Sequence, residues 1–216
     1  MNRIRLTGAV ILTIILFVPS RGHSQDAQEL TSNSFGLRIG YTFSEGDWSK
    51  SRVAPNIVQF RGGLTLGADL EFALSKGLAI VLDGGYEQLD GSDWANYVRS
   101  KGEYLSVNAW FAHGGLLLKP YLIATPQDML GLELGGVALF GNGSETYQGV
   151  VYQYDFLKSF HVGFEAGIEY DRRISEKVAV TIRGGGIFVP GGVGYADGED
   201  RTVISLPVTL GIRIIL

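Results

Sequence analysis

The chain of 216 residues has no cysteine, three histidines and six prolines. Without cysteine there is neither a disulfide nor a lipoprotein anchor, and the remaining histidines, His113 and His161 beyond residue 24, make a poor metal site on their own. Long apolar runs are missing as well. After residue 24 none approaches the roughly 20 residues a spanning helix needs, so any membrane passage falls to strands. Strands satisfy their backbone in lipid only as a closed barrel.

What is present begins with an export signal. Arg3 and Arg5 precede an apolar run over 6–18, followed by Pro19, Ser20 and Gly22-His23-Ser24 ahead of Gln25. Residues 1–24 are therefore expected to be a signal peptide, and 25–33 a polar periplasmic lead-in. Without residues 1–24 the chain keeps 15 basic and 22 acidic residues, a formal charge of −7, which disfavours nucleic acid as a partner.

The mature chain, with most of the 31 glycines, reads as strands and turns in one domain over 34–216. The clearest strand is 202–216, where Ile204, Leu206, Val208, Leu210, Ile212, Ile214 and Leu216 share one face. Seven more segments alternate with the same period of two, over 34–43, 60–74, 78–88, 103–122, 129–140, 159–171 and 178–189. The connections alternate long and short, with tight turns at 75–77, 125–128 and 172–177 and polar loops at 44–59, 89–102, 141–158 and 190–201. In the fourth segment the pattern predicts a protruding extension over 103–112, a bulge at His113-Gly114-Gly115 and an embedded part over 116–122.

This predicts an all-β protein, an eight-stranded antiparallel up-and-down transmembrane β-barrel. Aromatics on the apolar face fall into two girdles, Tyr41, Phe43, Phe60, Tyr86, Phe140, Phe160 and Phe188 near the long loops and Phe35, Phe72 and Tyr170 near the short turns. The opposite face alternates glycine with charge. It carries Arg38, Arg183 and Arg213 on strands that become neighbours on closure, and Asp69, Glu71, Asp83, Glu87, Glu133, Glu165 and Glu169 on the others. An eight-stranded interior is just wide enough for side chains, so this lumen charge network is expected to be a salt-bridged core, with a cation-selective passage as the alternative.

Two further patterns bear on function. Around the turns after the second and sixth strands, Asp69/Glu169, Glu71/Asp171, Ser75/Ser175, Ala79/Ala179, Gly84/Gly184 and Gly85/Gly185 match at an offset of 100 residues, as any two such hairpins would, or as a four-strand duplication would. Trp48, Trp94, Tyr147, Tyr152 and Tyr154 in the long loops are candidates for contact with a surface ligand, or for packing over the barrel mouth.

Taken whole, the mature chain resembles the small outer-membrane β-barrel superfamily typified by the OmpA transmembrane domain and OmpX. Leu116-Leu117-Leu118-Lys119-Pro120-Tyr121 and Gly131-Leu132-Glu133-Leu134-Gly135-Gly136 look like the fourth and fifth strands of the outer-membrane β-barrel proteins common in Bacteroidota. The segment 209–216 resembles the C-terminal signal of such barrels, ending in Leu216 where Phe is usual. The resemblance implies the outer membrane of a Gram-negative bacterium, contact with its lipid and recognition of the last strand by the barrel-assembly machinery. Ser159, His161 and Glu165 share a face, but Val162, Gly163 and Phe164 follow His161, whereas in the eight-stranded lipid A deacylases the His is followed two residues later by Ser and then Asn. The expectation is therefore a structural or surface-interaction protein working through its long loops, not an enzyme, with neither cofactor nor metal. A small ion or solute pore is the alternative, and a lipid-modifying enzyme a distant one.

Overall fold

The computed structural model describes residues 32–46, 60–91, 105–147, 149–153, 160–194 and 200–216. Nine strands form one antiparallel sheet: β1 (Ser34–Gly46), β2 (Phe60–Ser75), β3 (Leu78–Gly91), β4 (Leu105–Ala124), β5 (Asp128–Tyr147), β6 (Val150–Gln153), β7 (His161–Ser175), β8 (Val178–Gly194) and β9 (Asp200–Ile215). All but β6 are barrel staves. Each pairs with its neighbour along the chain, and β1 closes on β9 from Ser34↔Ile215 up to Gly46↔Val203. Closure leaves no free edge among the staves, which is the condition for strands to sit in hydrocarbon.

The period of two sets the two surfaces. Outside, Leu37, Ile39, Leu66, Leu70, Leu82, Leu116, Leu118, Leu134, Leu210 and Ile212 are each 40–59% exposed, an encircling apolar belt that a protein in water would have to cover. Above it Trp110 stacks on Tyr86 with ring centroids 5.8 Å apart and meets Phe140 at 6.0 Å, while Tyr41 and Phe43 lie edge to face at 5.1 Å. Phe160 and Phe188 are exposed at the same end and Phe72 at the other, so the two girdles stand on the outer wall; the side chain of Phe60 lies outside the described residues.

Two expectations are corrected. No bulge exists at His113-Gly114-Gly115, because these residues pair in unbroken register with Gly85, Gly84 and Asp83 on one side and with Leu139, Ala138 and Val137 on the other. The irregularity falls at Tyr121/Ile123 instead. Inward Ala109 and Phe111 on upper β4 are apolar, and inward His113 and two glycines follow, so the apparent change of phase is a change in what fills the barrel. The second correction concerns 141–158. Residues 141–147 continue β5 and pair back to Leu105 on β4, and after Gly149, whose φ of 83° suits a tight reversal, β6 adds a third strand, Ser144↔Gln153 to Tyr147↔Val150. β7 and β8 likewise run further than the alternation marks, to Ser175 and Gly194.

The 100-residue offset reappears as geometry. β2–β3 and β7–β8 share one register, Gly67↔Gly85 beside Gly167↔Gly185 and Asp69↔Asp83 beside Glu169↔Arg183, with the same irregularity at Ala73/Ser75 and Arg173/Ser175. In an eight-stave barrel β2 faces β7 and β3 faces β8, so equivalent positions meet across the interior.

Candidate functional site

The interior is solid, and its lower and middle parts are ionic. Arg38, Asp69, Glu71, Asp83, Glu87, Glu133, Glu165, Glu169, Arg183 and Arg213 all point inward, none more than 6% exposed. Near the end that carries the short turns Arg213 spans the barrel, with Nη2 2.9 Å from Asp69 Oδ1 and 2.6 Å from Glu169 Oε1, Nε 3.3 Å from Asp171 Oδ1 and Nη1 against Glu71. Lys119 does the same from β4, donating to Glu71 Oε2 at 2.8 Å and Glu169 Oε1 at 2.5 Å, with Asp171 Oδ2 at 3.4 Å; the Tyr121 hydroxyl donates to the other oxygen of Glu71.

Higher up, Arg38 donates to both Asp69 and Asp83. Arg183 binds three carboxylates at once: Nη1 to Asp83 Oδ1 at 2.7 Å, Nη2 to Glu165 Oε1 at 2.6 Å and Nε beside Glu133 Oε2 at 2.5 Å. Arginine suits this place because its fork offers five donors in a plane while staying charged. Above Arg183, His113 Nε2 lies 3.3 Å from Asp83 Oδ2, and the Ser205 hydroxyl, itself 2.6 Å from Thr42 Oγ1, donates to Glu87 Oε2 at 2.7 Å.

The uppermost layer is apolar on one side of the lumen and hydroxyl-bearing on the other, where Thr42 and Ser44 of β1 and Ser205 of β9 are buried. Leu89, Ala109, Phe111, Val137, Leu139, Ile187 and Val189 face inward from β3, β4, β5 and β8 and are at most 4% exposed. Together the two layers leave the described lumen packed from end to end.

Lumen glycines explain how so many long side chains fit. A Cβ on Gly131 would stand 2.6 Å from Cε of Lys119, one on Gly85 would stand 2.3 Å from the His113 ring, and one on Gly67 would stand 3.1 Å from Nη2 of Arg38. Each glycine is a slot in which an ionic side chain of the neighbouring strand lies flat against the wall.

Four participants escaped the sequence reading. Lys119, Asp171, Tyr121 and His113 all belong to the network. Lys119 stands beside an apolar triplet, Asp171 beside what looked like a turn, and His113 in what looked like a bulge. Their common signal is the inward phase of β4 and β7, which runs unbroken through 109, 111, 113, 115, 117, 119 and 121 and through 165, 167, 169 and 171. Of the hydrolase candidates, His161 sits at the top of β7 and each histidine is in register with Leu139 from opposite sides of β5, while Ser159 lies outside the described residues, as do Trp48, Trp94 and Tyr154.

An eight-stave barrel with a greasy exterior and an ionic, glycine-slotted interior is a transmembrane β-barrel. No protein-family description and no curated protein matches the sequence. Among solved structures the chain is similar to a major outer membrane protein from Thermus thermophilus, at 15% identity and a TM-score of 0.53, over 85% of this chain and 99% of that one. It is similar also to Neisserial surface protein A, at 8% identity and a TM-score of 0.51, over 85% and 97% of the two chains. At such identities the likeness is one of fold. The chain has the fold of the small outer-membrane β-barrels, and with its apolar belt it is an outer-membrane protein.

Proposed function

We propose that this barrel is an electrically closed, non-enzymatic surface protein that acts through what it holds above the membrane. The observation that carries the reading is how the lumen is filled: among the described residues its inward side chains, ionic below and apolar beside hydroxyl-bearing ones above, are buried from one end to the other. A second observation supports an activity held above the membrane. About ten residues of tilted strand cross a bilayer, yet β4 and β5 each have 20. At about 3.4 Å per residue and a tilt near 45° the surplus lifts the β4–β5–β6 sheet on the order of 20 Å above the belt. Val150 and Val151 stand 52% and 57% exposed at its tip. An extended, partly apolar sheet is a surface for a protein or glycan partner to rest on. The partners of the barrel itself are membrane lipid and, through β9, the assembly machinery.

Replacing 142–153 with a short turn tests this. The shortened protein should still assemble, as shown by heat-modifiable migration on gels. Cells displaying it should lose the adherence to surfaces that the wild type confers, and liposomes carrying either protein should swell in sugar solutions no faster than empty ones. Unchanged adherence, or swelling, would contradict the proposal.

A further inference from the structure

Among the described residues the lumen holds eight buried carboxylates, Asp69, Glu71, Asp83, Glu87, Glu133, Glu165, Glu169 and Asp171, against four fixed cations, Arg38, Lys119, Arg183 and Arg213. Buried charge of one sign requires compensation from protons or bound ions. Two places bring three potential ligand atoms within 4.8 Å of one another, Glu71/Glu169/Asp171 and Asp83/His113/Glu165. The first already contains the Lys119 ammonium and the Arg213 guanidinium. In the second the fixed cations take only one oxygen of each carboxylate: Arg183 and Arg38 both engage Asp83 Oδ1, and Arg183 engages Glu165 Oε1. Their other oxygens are left for something else. Asp83 Oδ2 has His113 Nε2 at 3.3 Å, and Glu165 Oε2, in a side chain only 3% exposed, has no hydrogen-bond partner among the described residues.

From this geometry we infer a binding site for one divalent first-row transition-metal ion, with Asp83, His113 and Glu165 as ligands and Glu87 as the positioning residue behind the histidine. A tetrahedral zinc with bonds of about 2.0–2.2 Å sets its ligands about 3.4 Å apart, and His113 Nε2 and Asp83 Oδ2 already stand 3.3 Å apart. Imidazole selects zinc, cobalt or nickel over magnesium and calcium. The back of the ring completes the pattern. Metal-bound histidines donate their second N–H to a carboxylate, and His113 Nδ1 lies 4.0 Å from Glu87 Oε1, neither atom having a hydrogen-bond partner among the described residues. Glu87 is itself held through its other oxygen by Ser205. Gly85, against which the ring lies, fixes its height on the wall.

The test uses the full mature chain without a histidine tag, refolded in detergent in the presence of Zn2+ or Mg2+ so that the ion can enter before the barrel closes, and then dialysed free of unbound metal. Metal analysis after gel filtration should find one zinc per chain and no retained magnesium. Glu87→Gln should weaken zinc binding by about 10–100-fold, His113→Ala should abolish it, and His161→Ala should leave it unchanged. If the His113 variant fails to assemble, the wild type decides: its Co2+ complex should show visible absorption at one equivalent, with a single imidazole and oxygen ligands by X-ray absorption. Absence of bound zinc in the folded wild type, retention by the folded His113 variant, or a spectrum without imidazole would overturn the site.

Discussion

Each guanidinium of the lumen is wedged among carboxylates, and of the three acids that converge on Arg183, Glu133 and Glu165 are paired with no other cation among the described residues. Arg183→Ala leaves Glu133 and Glu165 without a fixed cation, an effect on the order of 3–5 kcal/mol for a buried network. Urea titration of the refolded barrel in vesicles should show a clearly lower midpoint; an unshifted midpoint would mean that water screens these charges. Gly131→Val presses Cβ and two methyl groups into the stem of Lys119 and should cost about 1–3 kcal/mol in the same titration. No comparable loss is expected for Gly77→Val, since a Cβ there meets nothing within 4 Å.

At the scale of elements, the connections follow from orientation. An orientation with both termini in the periplasm predicts that protease applied to intact cells cuts within the segments 47–59, 92–104, 154–159 or 195–199, which lie between the upper ends of successive strands. The protease should spare the turns at 76–77, 125–127 and 176–177; cleavage at those turns in intact cells would invert the topology. Most of the staves were legible in the sequence because each carries lipid on one face and charge or glycine on the other, and β9 and β2 show this over nearly their whole length. β4 was legible only in part. Its upper inward residues, Ala109 and Phe111, are as apolar as its outward ones, so a strand buried on both sides loses the alternation that would mark it. The sheet above the membrane was missed for another reason. Gly141, Asn142, Gly143 and Ser144 have turn composition, and they are strand only because β4 stands beside them with backbone groups to pair. Individual lumen charges followed from phase alone, whereas which acid meets which base depended on the facing of β2 with β7 and of β3 with β8.

On the proposed reading the whole molecule is a plug of protein in lipid, its interior filled by a salt-bridged layer beneath one in which apolar side chains pack beside Thr42, Ser44 and Ser205. Opening a path would require both to yield: Arg183 and Arg213 to leave their acids, and Phe111, Leu139 and Ile187 to part. The most direct measurement is single-channel recording of the refolded wild type in planar bilayers under an applied voltage. A closed core predicts a silent membrane even when barrel insertion is verified by protease protection. Stable, stepwise, cation-selective openings would contradict it and make the acidic lumen a conduction path.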